Sequence, residues 1–302
     1  MFTRNWPRHM LCLSLCLPLP AMACGPDFPM RLLDNRGQSL AELPEGSFRF
    51  EVSRLGHAIA GLKPVTAATL VPGQTYGETT DHAELRDQAE QAVLTNEQQA
   101  LVKQLRGLAD ARQVEVRGAS LPAELRFYLA GAVAFNAGDQ TLAAEYFRKV
   151  LALPADQRAL RSTWAAYSLG RALFAMSSQA DAAPDLLTRS REAFEQTRQL
   201  SIDGFSDPLE LGVASLGEEA RVARRAGDWN SAIELYATQN LQGSAVGYTS
   251  LKLLMADLAA MPEDQLVELL KGKPVQQLVT ASLISRLGWS FDEQPPNEQK
   301  LI

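Results

Sequence analysis

From about Asp81 onward, apolar residues recur every three to four positions and are separated by turn residues, which is the pattern of amphipathic helices. Thr95 is suited to cap a helix that runs through Leu101, Leu105 and Leu108. Arg112 to Ser120 is predicted to be a connector. The pattern predicts an all-α region over about 81–290, with helices near 81–93, 95–108, 163–176, 185–200, 245–259, 262–270 and 275–287. A further helix is predicted to begin at Pro122, and helix hairpins are predicted over about 121–153 and 208–239.

A Gly-Asp pair occurs twice in this region in the same local context, as Gly138-Asp139 and Gly227-Asp228. In both places an alanine follows five residues after the glycine, and an aromatic residue follows four residues later. These are Ala143 with Phe147, and Ala232 with Tyr236. Such spacing predicts helix hairpins in which the pair turns the chain, the alanine allows close helix approach and the ring fills the next layer.

Over roughly 121–270 these positions resemble the tetratricopeptide repeat. The matching residues are Phe127, Gly131, Gly138-Asp139, Ala143 and Phe147 in a first unit, Gly170 and Phe194 in a second, and Ala220, Gly227-Asp228, Ala232 and Tyr236 in a third. The resemblance implies a helical-hairpin repeat solenoid whose first helices line a concave surface that binds proteins or peptides. It implies no catalytic activity.

The first 23 residues have the organisation of a secretory signal peptide. Arg4 and Arg8 form a positive start, 10–19 is a short apolar core, and Ala21-Met22-Ala23 is a small-x-small cleavage site. About twenty apolar residues are needed to span a bilayer, so this core is too short to be a transmembrane helix. We expect an exported protein of the bacterial periplasm or outer membrane.

Cys24 would be the one cysteine left after cleavage, so it has no internal disulfide partner. Two accounts of it remain open. Its place directly after Ala23 resembles that of bacterial lipoproteins, in which a lipid on this cysteine anchors the protein by its N-terminus. Alternatively, ordinary cleavage leaves a free or intermolecularly paired thiol. The only membrane contact expected is through such an anchor.

Residues 24–80 are expected to form an extended or irregular N-terminal segment. Ser47 to Leu55 contains a short alternation, Phe48 to Val52, that indicates an isolated strand or an extended packing arm. This segment is expected to cover the first apolar face of the array. At the other end, 291–302 includes Pro295-Pro296 and is expected to be a non-helical tail, with no polar capping helix before it.

The net charge and the few histidine and cysteine residues make some classes of partner and cofactor less probable for this chain. The chain carries a net charge of −6, and without its first 23 residues Lys+Arg falls from 29 to 27 against 35 acidic residues. This acidic balance disfavours nucleic acid as a partner. After cleavage the histidines are His57 and His82, far apart in sequence, and they form no metal-site pattern with Cys24. We expect no metal and no cofactor.

Candidate groove contacts lie on the first helix of the second unit. Trp164 and Tyr167 are three residues apart, and Arg161 and Arg171 flank them, with Arg158 one turn earlier. In the resembled family, basic residues on the concave face hold peptide carboxylates, which implies the same role for these arginines. The alternative is that the aromatic side chains fill the core between repeats.

A second class of function stays open, that of a hydrolase or accessory subunit acting on cell-wall glycan. Glu192 with Glu195, and Glu218 with Glu219, are pairs of nearby acids, and paired carboxylates can hydrolyse glycosidic bonds. The simpler interpretation is a solvated helix face with ion pairs at helical spacing. The sequence favours a binding or scaffold protein of the cell envelope, not an enzyme.

Overall fold

The computed structural model describes residues 47–65, 82–179 and 182–285, and within these ranges all regular structure is helical. The predicted all-α class is confirmed. The α-helices are α1 Phe48–Ser53, α2 His82–Gln91, α3 Asn96–Arg106, α4 Ala111–Arg117, α5 Ala123–Asn136, α6 Gln140–Leu151, α7 Ser162–Met176, α8 Leu186–Ile202, α9 Leu211–Arg225, α10 Trp229–Leu241, α11 Ala245–Ala260, α12 Glu263–Leu269 and α13 Lys273–Ile284. A short 3-10 turn, Ala155–Gln157, precedes α7.

From α4 to α11 each helix packs against the next one in the chain. In addition, α5 contacts α7 and α7 contacts α9, so the first helices of three successive hairpins lie side by side. This arrangement is compatible with a helical repeat. The buried apolar side chains form one cluster from Leu94 to Ala193 and a second that joins the third hairpin to the last helices, because each helix buries an apolar stripe against its neighbours.

The two Gly-Asp pairs form the same turn. Gly138 and Gly227 have φ of 86° and 82°, a left-handed conformation that favours glycine at the end of a helix. The following aspartates cap the next helix: Asp139 accepts the N–H of Leu142 at 2.9 Å, and Asp228 accepts that of Ser231 at 3.0 Å. The predicted turns at both positions are therefore confirmed.

Helix contact inside the first two hairpins is set by a glycine facing a ring. A Cβ atom built on Gly131 would lie 2.6 Å from Phe147, and one built on Gly170 would lie 2.6 Å from Phe194. Both rings are fully buried. In the third hairpin Ala220 occupies the corresponding position and is itself fully buried.

The expected strand within 48–52 is wrong, because these residues form helix α1. The Ser47 hydroxyl caps this helix by accepting the N–H of Phe50 at 3.2 Å. Phe48, Val52 and Leu55 follow helical spacing and pack into the cluster formed by the last helices. The expected connector at 112–120 also contains a helix, α4, which begins after an Asp110 cap.

The N-terminal arm, residues 47–65, packs at the end of the array opposite to the one expected. Helix α1 contacts α10, α11 and α13. Beyond it, the His57 N–H donates to the Thr238 hydroxyl at 3.1 Å, and the Val65 N–H donates to the Gln242 carbonyl at 2.8 Å. Leu62 packs with helix α9. The arm thus covers the later hairpins, whereas α2 to α4 precede the first one.

Several sequence expectations concern residues that lie outside the described ranges. These are the signal peptide at 1–23, Cys24, the segment 66–81 and the tail 291–302. Among the helices that the structure describes, none has both the length and the apolar character needed to cross a membrane.

Candidate functional site

A cavity of about 670 Å³ runs across the first helices of the three central hairpins. Each helix contributes one face at helical spacing. We call this cavity the groove. Helix α5 lines it with Tyr128, Ala132 and Phe135, and helix α7 lines it with Trp164, Tyr167 and Arg171. Helix α9 contributes Leu211, Ala214 and Glu218. The hairpin α2–α3 closes one side with Ala83, Arg86 and Arg106.

Trp164 forms part of the groove floor and is almost completely buried, with 1% of its surface exposed. The Tyr128 ring packs edge-on against it with centroids 5.7 Å apart. Within the described ranges the indole Nε1–H is buried without a hydrogen-bond partner. Trp164 therefore fills the core between repeats, as the alternative interpretation of the aromatic residues expected, and one part of it also lines the groove.

Arg161 lies beneath Trp164 and not among the residues that line the groove. Its guanidinium stacks on the indole at 4.1 Å, and its Nη2 donates to Glu90 of α2 at 2.9 Å. Burial lowers the pKa of Arg161. Its main-chain N–H donates to the buried carboxylate of Glu124, whose pKa is raised by burial. Arg161 is thus a packing and ion-pair residue in this structure.

Tyr167 and Glu218 form a polar pair in the middle of the groove. The Tyr167 hydroxyl donates to Glu218 Oε1 at 3.3 Å, and Glu218 Oε2 accepts from Arg221 at 2.7 Å. Burial, together with the Glu218 charge, raises the pKa of Tyr167. The hydroxyl therefore stays protonated at neutral pH and remains a hydrogen-bond donor.

Arg171 lines the groove and is exposed to solvent. Its guanidinium lies 5.2 Å from the centre of the Phe135 ring. In the described part of the chain it makes no ion pair with an acidic side chain. The structure therefore brings Trp164, Tyr167 and Arg171 to one cavity and places Arg161 behind it. Arg158 lies elsewhere, stacked on Phe205 at 4.8 Å.

Helix α2 was not anticipated as a wall of the groove. Its buried anchor is Glu90, which pairs with both Arg161 and Arg106. Tyr128 and Phe135 were also missed. Their spacing indicates the shared face, since Tyr128 lies three residues before Gly131 and Phe135 lies four residues after it on α5, whereas the repeat pattern matches Phe127.

The four candidate carboxylates do not face one another across a cleft. Glu192 and Glu195 are exposed on α8. Glu219 is buried against Arg198 at 2.6 Å, and burial raises its pKa despite that charge. Only Glu218 reaches the groove. The glycan-hydrolase alternative stays a prediction, and these four carboxylates form no pair across the groove.

Metal ligands are not concentrated anywhere in the described ranges, where no group of three or more His, Cys, Asp or Glu side chains could hold an ion. His57 belongs to the N-terminal arm, where its main-chain N–H donates a hydrogen bond to the Thr238 hydroxyl. The side chain of His82 lies outside the described part.

Comparison of the chain with protein-family models, with curated proteins and with solved structures found no match.

Proposed function

We propose that this chain is an exported, tetratricopeptide-like repeat protein of the bacterial cell envelope that binds a peptide or protein segment in the groove. The observation that supports this most directly is the composition of the groove wall. Equivalent faces of α5, α7 and α9 line one continuous cavity of about 670 Å³. This volume lies within the range of about 300–1,000 Å³ that is usual for ligand sites.

The side chains in the groove suit a short peptide. Tyr128, Phe135 and Tyr167 are half-buried rings that offer apolar contact without a large loss of side-chain freedom. The Tyr167 hydroxyl uses its one hydrogen on Glu218, so Tyr167 and Glu218 supply fixed acceptor oxygens for ligand N–H groups within that surface. A cluster of aromatic anchors with a few polar groups is the composition of interface hot spots.

The groove is tested by selecting peptides from a random displayed library and measuring their affinity for purified protein. Ala132→Gln places a helix-compatible side chain directly in the groove, and we expect it to weaken binding at least tenfold, about 1.4 kcal/mol. Ala256→Gln is the matched control, because Ala256 is an exposed alanine on α11. Trp164 is a poor probe, since its removal would leave a cavity in the core.

Equal binding by wild type and by both variants would show that the selected peptides bind elsewhere. Failure to select any peptide at all would refute peptide binding in the groove. Circular dichroism of the variants establishes that the helix content is unchanged, so that a loss of affinity reflects the groove.

Export and anchoring rest on the first 24 residues and are tested separately, by the intact mass of the protein from the membrane fraction of its host. A chain that starts at Cys24 and carries a diacylglycerol and an acyl group would establish a lipoprotein. A bare Cys24 start would establish a soluble exported protein. A chain that retains residues 1–23 would refute export by this signal.

A further inference from the structure

Helix α11 has two apolar faces, and within the described ranges only one of them is covered. The covered face packs on α10 and on the last helices through Gly247, Leu251, Leu254, Met255, Leu258 and Ala259. The opposite face is exposed along the whole helix, and we call it the open face. It consists of Val246, Thr249, Leu253, Ala256 and Ala260. Val246 and Leu253 are 62% and 63% exposed, although a helix that is apolar on all sides is usually buried.

The open face has the spacing of a coiled-coil seam. Its five residues are separated by three, four, three and four positions, which is the alternation of the a and d positions in a heptad repeat. Val246, Leu253 and Ala260 take the a positions, and Thr249 and Ala256 take the d positions. A seam of this kind packs side by side against another α-helix with the same repeat.

Two charged residues flank the open face, one on each side. Lys252 takes a g position; its ammonium lies 5.5 Å from the Tyr248 ring centre, and it has no acidic partner in the described part of the chain. Asp257 takes the next e position, pairs with Arg224 at 2.7 Å and keeps 54% of its side chain exposed. In a parallel pair of helices, g residues of one helix form salt bridges with e residues of the other. In such a pair of identical helices, Lys252 of each copy would meet the partner's Asp257.

We propose that the open face of α11 is a self-association surface, through which two copies of this chain pair in parallel about a two-fold axis. A second copy is favoured as the occupant because one chain supplies both the apolar seam and the two opposite charges that a partner needs. An antiparallel pair is disfavoured, because Lys252 would then face a second lysine. The inference does not depend on what the groove binds, since no open-face residue lines the groove.

The length of α11 sets the strength of this pairing. The helix has 16 residues, which corresponds to a length of about 24 Å. One pair of helices of this length forms a small interface, and interfaces that bury less than about 1,200 Å² are typical of transient contacts. We therefore expect a dissociation constant of about 1–100 μM, so that the dimer forms where the protein is concentrated.

The test is sedimentation equilibrium of the purified protein over about 1–300 μM, with a reductant present so that disulfides do not contribute. Leu253→Glu places two carboxylates face to face across the two-fold axis, and we expect it to weaken the dimer at least tenfold. Val116→Glu is the matched control, because Val116 is a 75% exposed valine on α4. Circular dichroism establishes that both variants keep their helix content.

An exchange of charges tests the parallel orientation. Lys252→Glu and Asp257→Lys should each weaken self-association about tenfold, because each change turns both contacts across the axis from attraction into repulsion. A mixture of the two variants should recover a heterodimer, since every contact then joins opposite charges. This recovery could not occur if either variant had lost its fold.

A monomer at every concentration would overturn the inference, and the open face would then be covered by another part of the chain or by a different protein. A dimer that Leu253→Glu weakens no more than Val116→Glu does would overturn it as well. A mixture of the two charge variants that stays monomeric would overturn the parallel pairing. Ala256→Gln should weaken the dimer and leave peptide affinity unchanged, so self-association and peptide binding in the groove can fail separately.

Discussion

Substitution of Glu90 should strongly destabilise the fold, because Glu90 neutralises a buried arginine. Its Oε1 accepts from Arg161 Nη2 at 2.9 Å and also pairs with Arg106. Glu90 and Arg161 are 5% and 3% exposed. Replacing Glu90 by glutamine keeps the shape but removes the negative charge, which leaves Arg161 in a site that water cannot reach.

The cost follows from what remains around Arg161. Removing one partner of a buried ion pair usually costs about 3–5 kcal/mol, since the other charge is left without compensation. Here the Glu124 carboxylate still attracts Arg161, and Arg106 can turn towards solvent. We therefore expect the lower end of the range, about 3 kcal/mol, which is a large share of a typical stability of 5–15 kcal/mol.

A double-mutant cycle isolates the interaction free energy between Glu90 and Arg161. Arg161→Met removes the buried charge and keeps an apolar stem against Trp164, so Glu90→Gln combined with Arg161→Met should recover most of the stability lost in Glu90→Gln alone. Urea unfolding followed by circular dichroism gives the free energies. Glu268→Gln is the control, because Glu268 pairs with Lys271 at the surface and should cost less than about 1 kcal/mol.

The result that would refute this reasoning is strict additivity. If Glu90→Gln costs as little as Glu268→Gln, or if Arg161→Met adds its full cost to Glu90→Gln, then Glu90 is not what compensates Arg161. Amide hydrogen exchange provides a local check. The amides of α2 should exchange faster in Glu90→Gln, because Glu90 is the buried anchor of that helix.

Three further predictions concern the turns, the pH dependence and the arm. Gly227→Ala should cost about 1–2 kcal/mol in thermal unfolding, because φ is 82° there, whereas Gly107→Ala, at φ −79°, should be nearly neutral. Tyr146→Phe should cost about 1 kcal/mol near pH 7. The Tyr146 hydrogen bond lowers the pKa of the Glu115 carboxyl from 4.5, so this difference is present above that value and should vanish as the pH falls through the lower folded pKa. Leu62→Ala should cost about 2–4 kcal/mol in urea unfolding if the arm is part of the cooperative core.

The helix hairpins were predictable because their turns are specified locally. A left-handed glycine followed by a capping aspartate needs no information from elsewhere in the chain, and Gly138-Asp139 and Gly227-Asp228 form the expected turns. Thr95 is a similar case, since its hydroxyl and the Gln98 side chain form a reciprocal cap of α3. Where the determinants lie within four residues, the pattern was sufficient.

Helix α1 shows how a short segment misleads. Phe48, Phe50 and Val52 alternate with polar residues, which favours a strand, but Phe48, Val52 and Leu55 also match one helical face. The contacts with α10, α11 and α13 select the helical alternative, because they bury that face. These partners lie far along the chain, and nothing in a six-residue segment indicates them.

The depth of each groove residue could not be deduced for the same reason. Spacing placed Trp164 and Arg161 on one side of α7, but it did not reveal that α2 would supply Glu90 and bury Arg161 under the indole. Residues 90 and 161 are 71 positions apart. Periodicity predicts which residues share a helix face, whereas packing against distant elements decides whether that face is buried or exposed.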